Sequence, residues 1–154
     1  MNNLCAIFGE NPDELEFGYD EEYYTCSKMK LRLVLAMQKL AESVCNSFIS
    51  TVDQGAAMWG AEACIAMREN GANVKLIAVP TSELQAARWH PERRERYYNM
   101  LEAADEVIEQ KKVSAEDYML ANITHAIFLG DTDIPRLAAL LERAKNAGAE
   151  IIHV

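Results

Sequence analysis

The sequence predicts an α/β protein, built as a three-layer, doubly wound and mostly parallel sheet. Two observations lead to this prediction. Short apolar runs such as LCAIFG and VKLIAVP alternate along the chain with segments of helical periodicity. The runs are continuously apolar, which is typical of parallel strands covered by helices on both faces. The 154 residues contain no repeat or linker, so residues 1–154 are expected to form one domain.

The first half of the chain is predicted to contain two strands and two helices around an acidic, turn-rich segment. Apolar residues recur at helical spacing in the first helix. Gly71 follows the second helix, where a glycine favours a left-handed C-terminal cap. In chain order the elements are a strand at Leu4–Gly9, the acidic segment at 10–25, a helix at Ser27–Cys45, a strand at Ser47–Ser50 and a helix at 56–70.

The second half continues the same alternation. Ser114 is predicted to cap the helix that follows it, with Asp117 at the third helical position, an arrangement resembling a capping box. The predicted elements are strands at Val74–Pro80, 106–110, 125–130 and 149–154, and helices at 90–105, 114–123 and 134–148.

Composition excludes several classes of function. The formal net charge of −9 argues against broad contact with nucleic acid, which requires basic residues, and against an anionic membrane surface. No apolar run approaches the length of a membrane span, and the N-terminus has no secretory signal pattern. A cytoplasmic protein is therefore expected. The 4 cysteines stand far apart, so neither a metal site nor a disulfide framework is expected.

Ligands of doubly wound sheets bind at the carboxyl ends of the strands. The loops after Phe8, Ile49 and Val79, and the loop after Leu129, are therefore where a site is expected. The loop after Ile49, STVDQGAAMWGAE, runs from a strand through a glycine-containing turn into a helix. This is the arrangement in which many folds hold a phosphate.

In its order of segments the chain resembles the Rossmann-like proteins of the DprA/LOG superfamily, called SLOG, and among them the YpsA-like group. The resemblance extends over nearly the whole chain. It rests on the order and spacing of motifs, since no single motif is specific. These motifs are GENP with LEFGYDEE, FIS with Gly55, Trp59 and Glu62, KLIAVP, the series from Trp89 through Arg96 to Asp105, and YML before a hydrophobic strand.

The resemblance implies a small ligand, such as one derived from a nucleotide, and some relatives hydrolyse N-glycosidic bonds of nucleotides. It implies no certain cofactor. Carried over residue by residue, the implied ligand-binding positions are Gly9, Glu10, Asn11, Ser50, Thr51, Asp53, Gly55, Trp59, Glu62, Trp89, Arg96, Gly130 and Asp131.

The chain departs from the family pattern at the positions that would bind phosphate. The first loop reads Gly9-Glu10-Asn11-Pro12, without the family's basic side chains, and the second has Thr51-Val52-Asp53 in place of small residues. The acids Glu10, Asp53, Glu116, Asp131 and Asp133 are expected on one rim. One carboxylate about 5 Å from a phosphate costs on the order of 3 kcal/mol at an effective dielectric constant of about 20, so we expect weak affinity for phosphate.

Several alternatives remain open. A divalent cation such as Mg²⁺ could bridge the carboxylates to a phosphate, a cationic or neutral ligand could replace the nucleotide, or Asp53 could simply cap the next helix. The basic segment Arg88–Arg96 could supply cations to the cleft or be a solvated helix face.

Three functions follow in order of preference. The first is a non-catalytic protein that binds a small ligand. The second is an enzyme acting on N-glycosidic bonds, with Glu62 as its catalytic candidate and Asp53 or Asp131 as a second carboxylate. The third is an interaction protein, a homo-oligomer formed either through the helix of Trp59 or through the helix at Tyr97–Leu101. If Trp59 does not form such an interface, it could stack on a base or lie in the core.

Overall fold

A computed structural model of the chain describes residues 2–109 and 111–154, and it shows the predicted alternation of strands and helices. The strands are β1 (Cys5–Gly9), β2 (Ser47–Ser50), β3 (Lys75–Ala78), β4 (Glu106–Val107), β5 (His125–Leu129) and β6 (Glu150–His153). The helices are α1 (Tyr24–Ser43), α2 (Ala56–Glu69), α3 (Pro91–Ala103), α4 (Ala115–Asn122) and α5 (Pro135–Asn146). A short 3-10 turn covers Pro12–Glu14.

The six strands form one sheet in the order β4-β3-β2-β1-β5-β6. Every neighbouring pair is parallel; for example, Ile7 is paired with Ile127 between β1 and β5. The winding direction reverses between β1 and β5, because the chain moves outward on one side from β1 to β4 and then returns to β5. The predicted doubly wound, Rossmann-like parallel sheet is therefore confirmed, and the crevice for a ligand lies at its carboxyl edge.

Two apolar cores lie on the two faces of the sheet. Alternate residues of β1 point to opposite faces, so Ile7 belongs to one core and Phe8 to the other. The first core contains side chains of α1, α2 and α3, including Leu33 and Met58, and the second contains side chains of α4 and α5, including Leu137. This distribution explains the continuously apolar strands, since both faces of each central strand are buried.

The boundaries of some elements differ from the sequence prediction. Helix α1 begins at Tyr24 instead of Ser27, because its buried stripe already starts at Cys26 and continues through Met29. Strand β4 is short, and the last residue of the predicted 106–110 strand lies outside the described residues. Ser114 does cap α4, with its Oγ accepting a hydrogen bond from the Asp117 amide at 3.0 Å.

None of the helices within residues 2–109 and 111–154 combines the length and the apolarity that crossing a membrane requires.

Candidate functional site

A cleft of about 300 Å³ lies at the carboxyl ends of the first strands. It is bounded by the loops after β1, β2 and β3 and by the beginnings of α4 and α5. We refer to it as the carboxyl-edge cleft. Its lining residues are Ile7, Phe8, Gly9, Asn11, Thr51, Asp53, Ala57, Thr81, Ser114, Ala115, Glu116 and Arg136.

Helices α2, α4 and α5 all begin beside this cleft, α5 with Arg136 in its first turn. Ala57 lies in the first turn of α2, and Ser114 and Ala115 form the start of α4. Helix N-termini carry amide groups that lack intrahelical acceptors and a partial positive charge. The backbone at the starts of α2 and α4 therefore offers hydrogen-bond donors to a ligand, whatever side chains surround it.

The turn between β2 and α2 is fixed by Ser50, which is fully buried. Its Oγ accepts a hydrogen bond from the Val52 amide at 3.0 Å and donates one to the Ala57 carbonyl at 2.8 Å. Val52 has φ of 55°, a left-handed conformation that is unfavourable for a β-branched residue. Such strain persists only where surrounding contacts hold it, and here Val52 is itself completely buried.

Two glycines allow the first two loops to approach each other closely. A Cβ at Gly9 would lie 2.4 Å from the Ala56 Cβ, and one at Gly55 would lie 2.4 Å from the Glu10 carbonyl oxygen. Gly55 also has φ of 94°. The Ala56 amide donates to the same Glu10 carbonyl at 3.1 Å. These glycines therefore position the beginning of α2 against the end of β1.

Gly55 also occupies the N-cap position of α2, and no side chain caps that helix. The interpretation of Asp53 as the cap is therefore wrong. Its Oδ1 instead accepts a hydrogen bond from the adjacent Gln54 amide at 2.9 Å. Asp53 lines the cleft.

Glu10 connects the loop after β1 with the loop after β5. Its side chain is 8% exposed, and its Oε1 accepts a hydrogen bond from the Asp131 amide at 2.9 Å. A Cβ at Gly130 would lie 2.9 Å from the Glu10 carboxyl group, so Gly130 makes room for it. Burial raises the pKa of Glu10, a change that the Asp131 amide opposes. Glu10 thus lies behind the cleft surface and joins two loops.

The charges lining the cleft are two carboxylates and one guanidinium. Asp53 and Glu116 face it, whereas Asp131 and Asp133 lie in an exposed turn in which the Asp131 carboxylate accepts from the Asp133 amide at 2.9 Å. The expectation that five acids share one rim is therefore wrong. Across the described residues, no group of three histidine, cysteine, aspartate or glutamate side chains could hold a metal ion.

Arg136 is a cleft residue that sequence reasoning missed. Its guanidinium donates to the Gly9 carbonyl at 2.6 Å and to the Glu14 carboxylate at 2.8 to 3.3 Å. Hydrogen bonding from Arg136 lowers the pKa of Glu14. The cation is therefore largely neutralised by the loop after β1. The sequence does hold a signal for this contact. A basic residue directly after Pro135 lies at the positive end of the α5 dipole, where it is unfavourable unless an acidic side chain is close to it.

The remaining carried-over residues lie away from the cleft. Arg96 donates to the Glu62 carboxylate at 2.6 and 3.0 Å and to the Glu21 carboxylate at 2.7 and 3.1 Å. Lys30 and Arg93 also contact Glu21, at 2.6 and 2.9 Å. We call these five residues the ion cluster. It holds the acidic segment before α1 against α2 and α3, and it brings Glu62 to a cation instead of to a second carboxylate.

The two tryptophans also contribute to packing. Trp59 is 4% exposed and stacks on Phe17, with ring centroids 6.3 Å apart. Its Nε1 is buried without a hydrogen-bond partner in the described part of the chain, as is Gln54 Oε1. Trp89 packs edge-on against Tyr97, with centroids 5.3 Å apart. The interpretation of Trp59 as a core residue fits this placement.

A larger groove of about 700 Å³ lies at the opposite edge, where the strands begin. Its floor contains Ile49 and Ile77, and its charged lining residues are Lys75 and Glu106. Among the described residues that line it, none begins a helix. We assign the candidate site to the smaller cleft, because ligands of parallel sheets bind at the carboxyl edge and because helix N-termini meet there.

The model of a protein family, described as the YspA SLOG family and named YpsA, matches residues 5–145. No curated protein matches the chain.

Proposed function

The chain belongs to the YspA SLOG family, and from this membership and the carboxyl-edge cleft we propose that it binds a small nucleotide-derived ligand without catalysing a reaction. We further propose that it holds the nucleoside part of the ligand and tolerates phosphate poorly. The observation that carries this proposal is the pairing of two helix N-termini with the side chains of Asp53 and Glu116 in one cleft.

The two kinds of group favour different parts of a ligand. Carboxylates accept hydrogen bonds from hydroxyl groups, so Asp53 and Glu116 suit the diol of a ribose. Backbone amides at the starts of α2 and α4 suit a carbonyl or ring nitrogen as well as an anion. The Thr51 and Thr81 hydroxyls can donate or accept. The cleft therefore has partners for a neutral, hydroxylated heterocycle.

A phosphate meets a less favourable balance of charge. The Arg136 guanidinium already contacts the Glu14 carboxylate at 2.8 Å, so a phosphate would have to compete for it. A helix N-terminus contributes about 0.3–1 kcal/mol to anion binding at an exposed site. One carboxylate at about 5 Å opposes it by up to about 3 kcal/mol, reduced by solvent screening. Repulsion by Asp53 and Glu116 therefore exceeds the attraction of the two helices.

Catalysis by Glu62 has no support from the geometry. The Glu62 carboxylate is held by Arg96 in the ion cluster and does not line the cleft. A general acid or base must lie within hydrogen-bond reach of the substrate, and Glu62 lies outside the cleft. We therefore favour binding over hydrolysis.

Isothermal titration with adenosine, AMP, ADP-ribose and NAD, each with and without magnesium chloride, tests the proposal. We expect adenosine to bind at least as tightly as AMP when magnesium is absent. The variant Asp53→Asn should raise the affinity for AMP by about tenfold, because it removes one repulsive charge. It should leave the affinity for adenosine nearly unchanged, since the amide oxygen keeps an acceptor in place.

Glu142→Gln is the matched control, because Glu142 is exposed on α5 and does not line the cleft. It removes the same unit of charge and should leave both affinities unchanged. Tight binding of AMP to the unmodified chain without metal would contradict the charge argument. The absence of heat with all four compounds would overturn the proposed function.

A further inference from the structure

Helix α1 presents an exposed apolar stripe on the face opposite the core. Tyr24, Leu31 and Leu35 are 72%, 59% and 55% exposed. Their spacing of seven and four residues places them along one side of the helix. The helix rises about 1.5 Å per residue, so the stripe from Tyr24 to Lys39 extends over about 22 Å. An apolar stripe of this length on a surface commonly marks an interaction site.

The same stripe carries positive charge, although the molecule as a whole is negatively charged. Exposed Lys28, Arg32 and Lys39 flank the apolar residues, and Lys28 Nζ lies 4.5 Å from the centre of the Tyr24 ring. The residues of α1 carry a formal charge of +3, whereas the whole chain carries −9, which leaves −12 for the rest. We call this surface the basic stripe. Its chemistry calls for a partner that is both apolar and acidic.

A surface of that chemistry is present elsewhere on the same chain. A groove of about 270 Å³ lies between the loop after β3, helix α3 and strand β4. Tyr98 and Val107 line it and are 54% and 44% exposed, and Leu101 lies beside them. Such apolar exposure beside a short edge strand is unusual unless something covers it.

Charges around this groove are mainly acidic. Glu83 and Glu109 line it, against a single lining cation at Lys111. Glu95 and Glu102 are exposed on the adjoining part of α3. We call this surface the acidic groove. It matches the basic stripe in both respects, with opposite charge and with exposed aliphatic and aromatic side chains.

We propose that the chain associates with a second copy of itself, the basic stripe of one copy docking in the acidic groove of the other. The contact joins different surfaces of the two molecules, so it forms either a reciprocal two-fold dimer or a head-to-tail assembly. Opposite charges at the rim steer the association, and the leucines and tyrosines supply the desolvated centre. The acidic groove includes Tyr98 and Leu101 of the helix at Tyr97–Leu101, one of the two surfaces that the sequence suggested for association, whereas Trp59 on the other is buried within its own chain.

Sedimentation equilibrium of the purified chain over a range of concentrations tests the proposal. We expect masses above that of the monomer, with weaker association at higher salt because rim charges are screened. Leu31→Glu with Leu35→Glu should raise the dissociation constant by about tenfold or more. Both positions are exposed, so the fold should persist, and circular dichroism checks this. Ala139→Glu, at an exposed position of α5, is the control and should change nothing.

A charge-exchange experiment identifies the two surfaces. One variant carries Lys28→Glu and Arg32→Glu, and another carries Glu83→Lys and Glu109→Lys. Each alone should be monomeric, because its altered surface faces an unaltered surface of like charge. An equimolar mixture should associate again, since the altered stripe then meets the altered groove with opposite charges.

Three outcomes would overturn the proposal. The first is a monomer at every concentration. The second is self-association that neither charge-reversed variant weakens. The third is a monomer whose basic stripe binds vesicles of phosphatidylserine and phosphatidylcholine, because an anionic lipid would then be the partner.

Discussion

At the scale of single residues, the cleft depends on backbone positions that accept few side chains. Gly55 combines φ of 94° with a clash that any Cβ would make against the Glu10 carbonyl. Gly71, after α2, has a similar φ of 95° but has no neighbouring atom within 4 Å of its Cβ position. Gly55 also has ψ of −142°, in a backbone region that is essentially confined to glycine, so it is restricted by its conformation as well as by lost space.

Gly55→Ala and Gly71→Ala are expected to destabilise the chain by different amounts. In the Gly71 variant only the left-handed backbone conformation is unfavourable, which should lower the free energy of unfolding by about 1–2 kcal/mol. The Gly55 variant adds displacement of the first loop, for a total of about 2–5 kcal/mol. Urea unfolding followed by circular dichroism gives both free energies of unfolding. Equal losses would show that the first loop moves aside without cost.

At the scale of elements, the ion cluster is what fixes the acidic segment before α1. Sequence pattern left residues 10–25 unassigned, because their turns have no apolar period. The structure shows that Glu21 forms ion pairs with Lys30 of α1 and with Arg93 and Arg96 of α3. Burial by itself would raise the pKa of Glu21, but hydrogen bonds from Arg96 and Lys30 outweigh it and lower this pKa to about 2. The segment is thus held by charge as well as by packing.

This lowered pKa predicts how stability depends on pH. The pKa of Glu21 falls from 4.5 to about 2 on folding, so its contribution is complete above pH 4.5 and is lost as the pH falls toward 2. The contribution is about 2–3 kcal/mol. Glu21→Gln should therefore lower the free energy of unfolding at neutral pH and flatten its decline between about pH 5 and pH 2.

Glu22→Gln is the neighbouring control for this measurement. Glu22 is exposed and lies outside the ion cluster, so its replacement should leave the pH profile of stability nearly unchanged. Identical acid limbs for the Glu21 and Glu22 variants would contradict the role given to the cluster.

The sequence predicted the elements better than the places of side chains. Apolar periodicity depends on burial, which every strand and helix of this fold needs, so element order followed directly. Ion pairs between distant segments, such as the contact of Arg96 with Glu21, leave no periodic trace. The same holds for Arg136, whose partner Glu14 lies 122 residues away in the chain. The loop residues carried over from the family could be placed at the end of a strand, but the sequence did not show whether their side chains point into the cleft or away from it.

At the scale of the whole molecule, the first of the two apolar cores contains all four cysteines. Cys5, Cys26, Cys45 and Cys64 are free and at most 3% exposed. Burial raises the pKa of all four thiols, that of Cys64 to about 12. Thiolates are the reactive form, so these groups should be inert in the folded chain.

Reaction with Ellman's reagent tests this expectation. The folded chain should release almost no thionitrobenzoate within minutes, whereas in guanidinium chloride it should release about four equivalents, one for each cysteine. Serine replacements at single positions identify any thiol that reacts early. Rapid release of one equivalent from the folded chain would show that a thiol is accessible.

The bridge made by Glu10 has a thermodynamic consequence for ligand capture. Its carbonyl accepts a hydrogen bond from the Ala56 amide, and its carboxylate accepts one from the Asp131 amide. The loops after β1, β2 and β5 are therefore joined to one another before any ligand binds. A receptor that is already ordered loses little conformational entropy when it is occupied. Calorimetry of any ligand should then yield a heat capacity change explained by the apolar surface buried in the contact, with no added contribution from ordering of the chain.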